Sequence, residues 1–180
     1  MINKKIFNSV VGAIFLISCS SRKQNCDIMS LKELTLYPVN AVLKLPPYKV
    51  VDTSIFDTQT ILNYNIKTVD SSLNLIAFVY SYENEPAASF SLNDRMSFQK
   101  HEVVYGQDSI KPLIETFPQV GNTKVGYLKY LDEKRKRYEG RIFFFKDKKL
   151  VVLWLFEKYQ NQSQDNFSLI DCILENIELH

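Results

Sequence analysis

The side chains with the strongest intrinsic chemistry in this chain are three cysteines, Cys19, Cys26 and Cys172, and two histidines, His101 and His180. A structural zinc centre takes four sulfur or imidazole ligands, commonly in closely spaced pairs. No Cys-x-x-Cys or His-x-x-x-His spacing occurs, so no metal centre is expected. A serine nucleophile needs a strained turn and a histidine to take its proton. The chain has no Gly-x-Ser-x-Gly, and His180 is its last residue, where backbone order is generally poor. His101 is then the one histidine available as a base, and a solvated or helix-terminal position is its plainer reading. Five glycines leave little room for a phosphate-cradling loop. The carboxylate pairs Asp57 with Asp70 and Glu83 with Glu85 carry no spacing that implies acid and base roles. No catalytic residue, metal ligand or cofactor is assigned, and the chain is not read as an enzyme.

Cys19 has a chemistry of its own. Lys4 and Lys5 precede an apolar run, Val10-Val11-Gly12-Ala13-Ile14-Phe15-Leu16-Ile17, which stops at Ser18-Cys19. That is the layout of a secretory signal peptide. A helix that spans a bilayer needs about 20 predominantly apolar residues, and this run is far shorter. The tetrapeptide Leu16-Ile17-Ser18-Cys19 resembles the lipobox of bacterial lipoproteins. The resemblance implies a diacylglycerol on the Cys19 sulfur, cleavage just before it and acylation of the new amine. Each buried methylene contributes about 0.8 kcal/mol, so several acyl chains make a durable anchor. Ser20 rather than Asp follows the cysteine. By the rule of some Gram-negative lipoproteins, that directs the protein to the outer membrane facing the periplasm. The rule differs between bacterial groups.

Three regions follow from this reading: residues 1–18 as lipoprotein signal peptide, 19–27 as lipidated cysteine and tether, and 28–180 as a single globular α+β domain. The composition, 46% apolar and 13% aromatic, suits such a domain. Loss of Lys4 and Lys5 leaves 20 basic residues against 20 acidic ones. A neutral chain lacks the cationic excess that a run of phosphates requires, so nucleic acid is not expected as a partner.

The domain reads mainly as strands. Ala41 to Leu45 ends at Pro46-Pro47, and Tyr48 to Val51 resumes. Thr60 to Val69 turns through Asp70-Ser71-Ser72 into Leu73 to Tyr82, a segment apolar on both faces that ought to be covered on both. Ile142 to Phe145 and Leu150 to Phe156 flank Lys146-Asp147-Lys148-Lys149 as a hairpin at the centre of a sheet. Val125 to Leu131 and the charged tip Asp132 to Arg137 extend it into a meander. Ile110 to Phe117 contains Pro112, which restricts it to an edge.

Ser91-Leu92-Asn93-Asp94 fits a helix cap, followed by Leu92, Met96, Gln99 and Val103 on one arc. A closing helix carries Leu169, Ile170, Ile173, Leu174 and Ile177 on one half of its wheel. Ser168, Asp171, Cys172 and Glu175 fall on the other. Ser30-x-x-Glu33 could cap a further short helix, and Leu34 to Tyr37 reads equally as a strand.

An antiparallel sheet with helices packed on it, in this element order, resembles the PsbP/Mog1-like α/β/α sandwich from about Leu36 to Leu179. The stretch from Lys124-Val125-Gly126-Tyr127 through the final helix carries most of that resemblance. It implies fold and not function.

Two further features bear on partners. Cys26 and Cys172 either pair in an oxidising periplasm or remain two thiols; their geometry is not readable from sequence. The basic tips Lys134 to Arg137 and Lys146 to Lys149 should fall at opposite ends of the sheet, which argues against one patch for lipid head groups. Phe90, Met96, Phe98 and Tyr105 lie in the least regular part of the chain and are candidates for docking a protein partner, although covering one sheet face is the plainer use. The chain is therefore expected to be a lipid-anchored, non-enzymatic binding or assembly module of the cell envelope. A toxin-neutralising immunity lipoprotein is the alternative, and an envelope hydrolase a third.

Overall fold

The structure is a computed structural model, and it describes residues 30–54, 60–81, 91–104, 110–159 and 168–180. The signal segment, the tether, Cys19, Cys26, Phe90 and Tyr105 lie outside the described residues.

Seven antiparallel strands form the main sheet, in the order β3-β4-β5-β11-β10-β9-β6. They are β3 (Tyr48–Ser54), β4 (Thr60–Thr68), β5 (Leu73–Ser81), β6 (Ile110–Thr116), β9 (Gly126–Asp132), β10 (Arg137–Lys146) and β11 (Lys149–Lys158). A smaller sheet joins β1 (Lys32–Leu36), β2 (Ala41–Leu45) and β12 (Glu178–Leu179), and β7 (Gln119–Val120) pairs with β8 (Thr123–Lys124). The stretch that read as helix or strand near Leu34 is thus the strand β1. Pro46-Pro47 does more than interrupt a strand, because β2 and β3 belong to different sheets. Proline cannot donate to a ladder, so the chain leaves one sheet there and enters the other.

The central hairpin is as expected. Its tip places Asp147 and Lys148 at φ 50° and 56°, the left-handed pair that a two-residue turn between twisted strands requires. The tips of β9-β10 and β10-β11 lie at opposite ends of β10, so the two basic runs do not make one patch. Pro112 sits on β6, the edge strand, with a bulge between Pro112 and Ile114.

Among the described residues, one helix packs on each face of the main sheet. Helix α1 (Leu92–Val104) is capped by Ser91, whose Oγ accepts from Asp94 N at 3.3 Å. It sets Met96 and Val103 against Ile110, Leu128, Tyr130, Phe143, Leu150 and Val152. Helix α2 (Leu169–Glu175) meets the other face, where Ile142, Phe144, Leu153, Leu155, Ile170 and Ile173 are buried. Gly140 permits that contact: a Cβ there would lie 2.5 Å from Ile170 Cγ2.

Helix α2 differs from the sequence expectation in two ways. It is only seven residues long and gives way to β12, which pairs with β2. Its buried set also includes Ser168 and Cys172, both assigned from the wheel to the outer half. The physical reason is that α2 is enclosed by more than the main sheet: it touches β2 as well as β11. Cys172 is 3% exposed and disulfide-bonded. The proposed partner, Cys26, lies outside the described residues.

A carboxylate from the sheet caps α2. Glu157 accepts from Ser168 Oγ at 2.6 Å, Leu169 N at 3.0 Å and Ile170 N at 3.3 Å. In the same first turn, Asp171 accepts from Lys129 Nζ at 2.6 Å and from the Tyr127 hydroxyl. The Glu157 contacts satisfy the backbone donors of Leu169 and Ile170, and together with the Asp171 pair they lock α2 to the sheet.

Candidate functional site

Alternation along β5 and β11 divides their side chains into two unequal sets. Leu73, Leu75, Ala77, Val79, Leu153 and Leu155 are buried on the α2 side, whereas Ile76, Phe78, Tyr80, Trp154 and Phe156 on the α1 side are only half-buried. The expectation that both faces are covered therefore holds for one face and in part for the other. Helix α1 packs on β9 and β10, and the β4-β5-β11 half of that face presents aromatic surface flanked by Asn65 and Asn74.

Arginines from β10 lie over these rings. The Arg137 guanidinium carbon is 4.7 Å from the Phe156 ring centre, and that of Arg141 is 5.3 Å from the same ring and 4.6 Å from Trp154. Trp154 in turn meets the edge of Phe78 at 4.8 Å. The register explains the alternation: Arg141 faces Trp154 and Glu139 faces Phe156 across the β10-β11 ladder.

Glu139 holds the two cations apart. It accepts from Arg137 Nε at 2.9 Å and lies 3.6 Å from Arg141. At the strand end, Asp132 pairs with Arg135 at 3.2 Å. Asp132, Glu139 and Arg141 are all buried, and removal of Glu139 leaves the buried Arg141 guanidinium without its ion-pair partner. Burial pulls the Arg141 guanidinium down to about 10, opposed by Glu139 and Glu102. Burial likewise pushes the Tyr130 hydroxyl up to about 12. Neither group changes charge near neutral pH. Arg141 Nε, Trp154 Nε1 and Tyr130 OH are buried without a hydrogen-bond partner. They add stiff polar character to a face of rings.

Of the residues chosen from sequence, Met96 is 3% exposed and belongs to the core under α1, so it is corrected from docking residue to packing residue. Its place on the apolar arc already carried that meaning. Phe98 is 50% exposed, with the Arg95 guanidinium 5.3 Å from its ring. His101 is exposed in the last turn of α1. The arginine and aromatic row was missed, although its signal was present: Arg137, Glu139 and Arg141 alternate on β10, opposite Trp154 and Phe156. Among the described residues no three His, Cys, Asp or Glu side chains gather as for a metal, and no described helix is long and apolar enough to cross a membrane.

This architecture is an α+β sandwich of the PsbP/Mog1-like kind, with antiparallel strands between helices. Its solved neighbours include the solution structure of cyanobacterial PsbP from Synechocystis sp., with a TM-score of 0.58 and 11% identity over 85% of this chain and 94% of the other. The Saccharomyces cerevisiae Ran-binding protein Mog1p matches with a TM-score of 0.53 and 13% identity over 84% of this chain and 96% of its own. At these identities the likeness is one of fold. No protein-family model and no curated protein sequence matches the chain.

Proposed function

We propose that this protein is a lipid-anchored, non-enzymatic binding or assembly module of the bacterial cell envelope, held at the outer membrane through Cys19. The observation that carries the binding role is the half-buried row Phe78, Trp154 and Phe156, stiffened by Arg137 and Arg141. Trp, Tyr and Arg dominate binding energy at protein interfaces because they combine large contact area with few degrees of freedom. A neighbour of the same fold, Mog1p, is a Ran-binding protein, which is consistent with a sandwich used as a platform for a protein partner. The anchor rests on the lipobox resemblance of Leu16-Ile17-Ser18-Cys19.

Two experiments test these parts separately. A photo-crosslinking residue at Asn74, beside Phe156 in the register, should capture a discrete envelope protein in intact cells, while the same residue at Lys148 should not. Equal capture at both positions would refute the docking face, and capture of a toxin would move the assignment to the immunity reading. Cys19→Ser should abolish incorporation of labelled fatty acid and leave an uncleaved precursor. Persistent labelling would refute the anchor.

A further inference from the structure

The two edges of the main sheet are finished differently. On β6, Pro112 removes one donor, and the charges are answered within the chain, Lys100 with Glu115 and Lys111 with Glu133, each at 2.7 Å. On β3 the sequence is Tyr48-Lys49-Val50-Val51-Asp52-Thr53-Ser54. Lys49 and Asp52 are exposed and have no ion-pair partner among the described residues, and Val50 and Val51 are 47% and 61% exposed. Lys49 even lies opposite Lys67 on β4, so its inner neighbour repels it and an anion on the open side would relieve the site.

The segment is complementary to itself. Run antiparallel against a second copy about a two-fold axis between Val50 and Val51, it sets Lys49 against Asp52 twice and Val50 against Val51 twice. In a regular strand this would fail, because residues three apart point to opposite faces and directly opposed residues share a face. The bulge removes the obstacle. Val50 opposes Ile66 and Asp52 opposes Asn65, which leaves Val51 as the extra residue. Lys49 and Asp52 therefore oppose Lys67 and Asn65, positions two apart that share a face. A two-fold axis normal to the sheet preserves faces, so the lysine of one copy and the aspartate of the other lie on the same side.

We infer that β3 is a homodimerisation edge, where two copies of this chain join antiparallel through Lys49-Val50-Val51-Asp52 into one continuous sheet. The proposal is independent of the lipid anchor. It also extends the face that carries Asn65, Phe78, Trp154 and Phe156 across both copies.

The test uses the full chain, in detergent where it carries acyl groups. Sedimentation at high micromolar concentration should show a dimer, and carbodiimide should join Lys49 of one copy to Asp52 of the other, read by mass spectrometry. Lys49→Asp and Asp52→Lys each turn both pairs into like-charge contacts and should each weaken self-association at least about tenfold. An equimolar mixture of the two variants, and the double swap, should restore it. A wild-type monomer, a dimer indifferent to these charges, or crosslinks from Lys49 to other carboxylates would overturn the proposal. The carbodiimide result decides the matter even where a variant fails to fold.

Discussion

Replacement of Glu157 offers the most direct check on how α2 is held. An isolated helix of seven residues is unstable in water, because nucleation is costly and few bonds follow it. Its stability must come from tertiary contacts, and the Glu157 carboxylate supplies three hydrogen bonds to its first turn from a position only 8% exposed. Glu157→Ala leaves one hydroxyl and two backbone N–H groups facing an apolar cavity. Loss of an N-cap costs about 1 kcal/mol and loss of a charged hydrogen-bond acceptor about 1.5–3 kcal/mol. These terms overlap, so about 3 kcal/mol is expected in all.

Glu157→Gln keeps one acceptor oxygen and the shape and should cost about half as much, while Ser168→Ala, which leaves both amides bonded, should cost about 1 kcal/mol. Trp154 is the single tryptophan and reports urea unfolding by fluorescence. Its equilibrium curves give the free energies, and amide exchange at Leu169 and Ile170 should accelerate in step. A loss below about 0.5 kcal/mol for Glu157→Ala, within the range of ordinary surface changes, would refute the capping argument.

Two further outcomes follow from local geometry. Gly140→Ala places a methyl group against Ile170, a fully buried and branched side chain that cannot swing away, and should cost about 1–3 kcal/mol in the same urea assay; an unchanged midpoint would mean that α2 sits farther from β10 than described. The Asp70 carboxyl is held below the usual carboxylate range, chiefly by the Ser72 backbone N–H and then by the Thr68 and Ser72 side chains. Because its folded pKa is depressed, the stabilisation of the β4-β5 turn is complete above the ordinary carboxylate pKa and is lost as pH falls through the lowered value. The Ser72 amide resonance should titrate with that lowered value, and a midpoint at or above the ordinary carboxylate value would refute the assignment.

Much of the fold could be read from residue order because it rests on local rules. The turn at Lys146 to Lys149, the Ser91 cap, the arc Leu92, Met96, Gln99 and Val103, and the restriction of Pro112 to an edge each depend on backbone sterics or on side chains a few positions apart. The candidate site was hidden for the opposite reason. The apolar alternation of β5 and β11 shows that two faces exist, and it says nothing about which face a helix will cover. Phe98 and Met96 are neighbours in sequence, yet only their places on α1 separate an exposed ring from a core residue.

The amino-acid order alone determined most strands, the helix over Leu92 to Val104, the candidate lipid attachment at Cys19 and the absence of any spacing for metal or nucleophilic chemistry, since these depend on short-range covalent and steric rules. Tertiary structure decided that Glu157 caps a helix eleven residues away, that Arg137 and Arg141 lie over Phe156 and Trp154, that Cys172 is buried, and that a bulge brings Lys49 and Asp52 to one face. Each of those outcomes depends on strand pairing and layer packing, and such contacts acquire meaning only when distant segments meet.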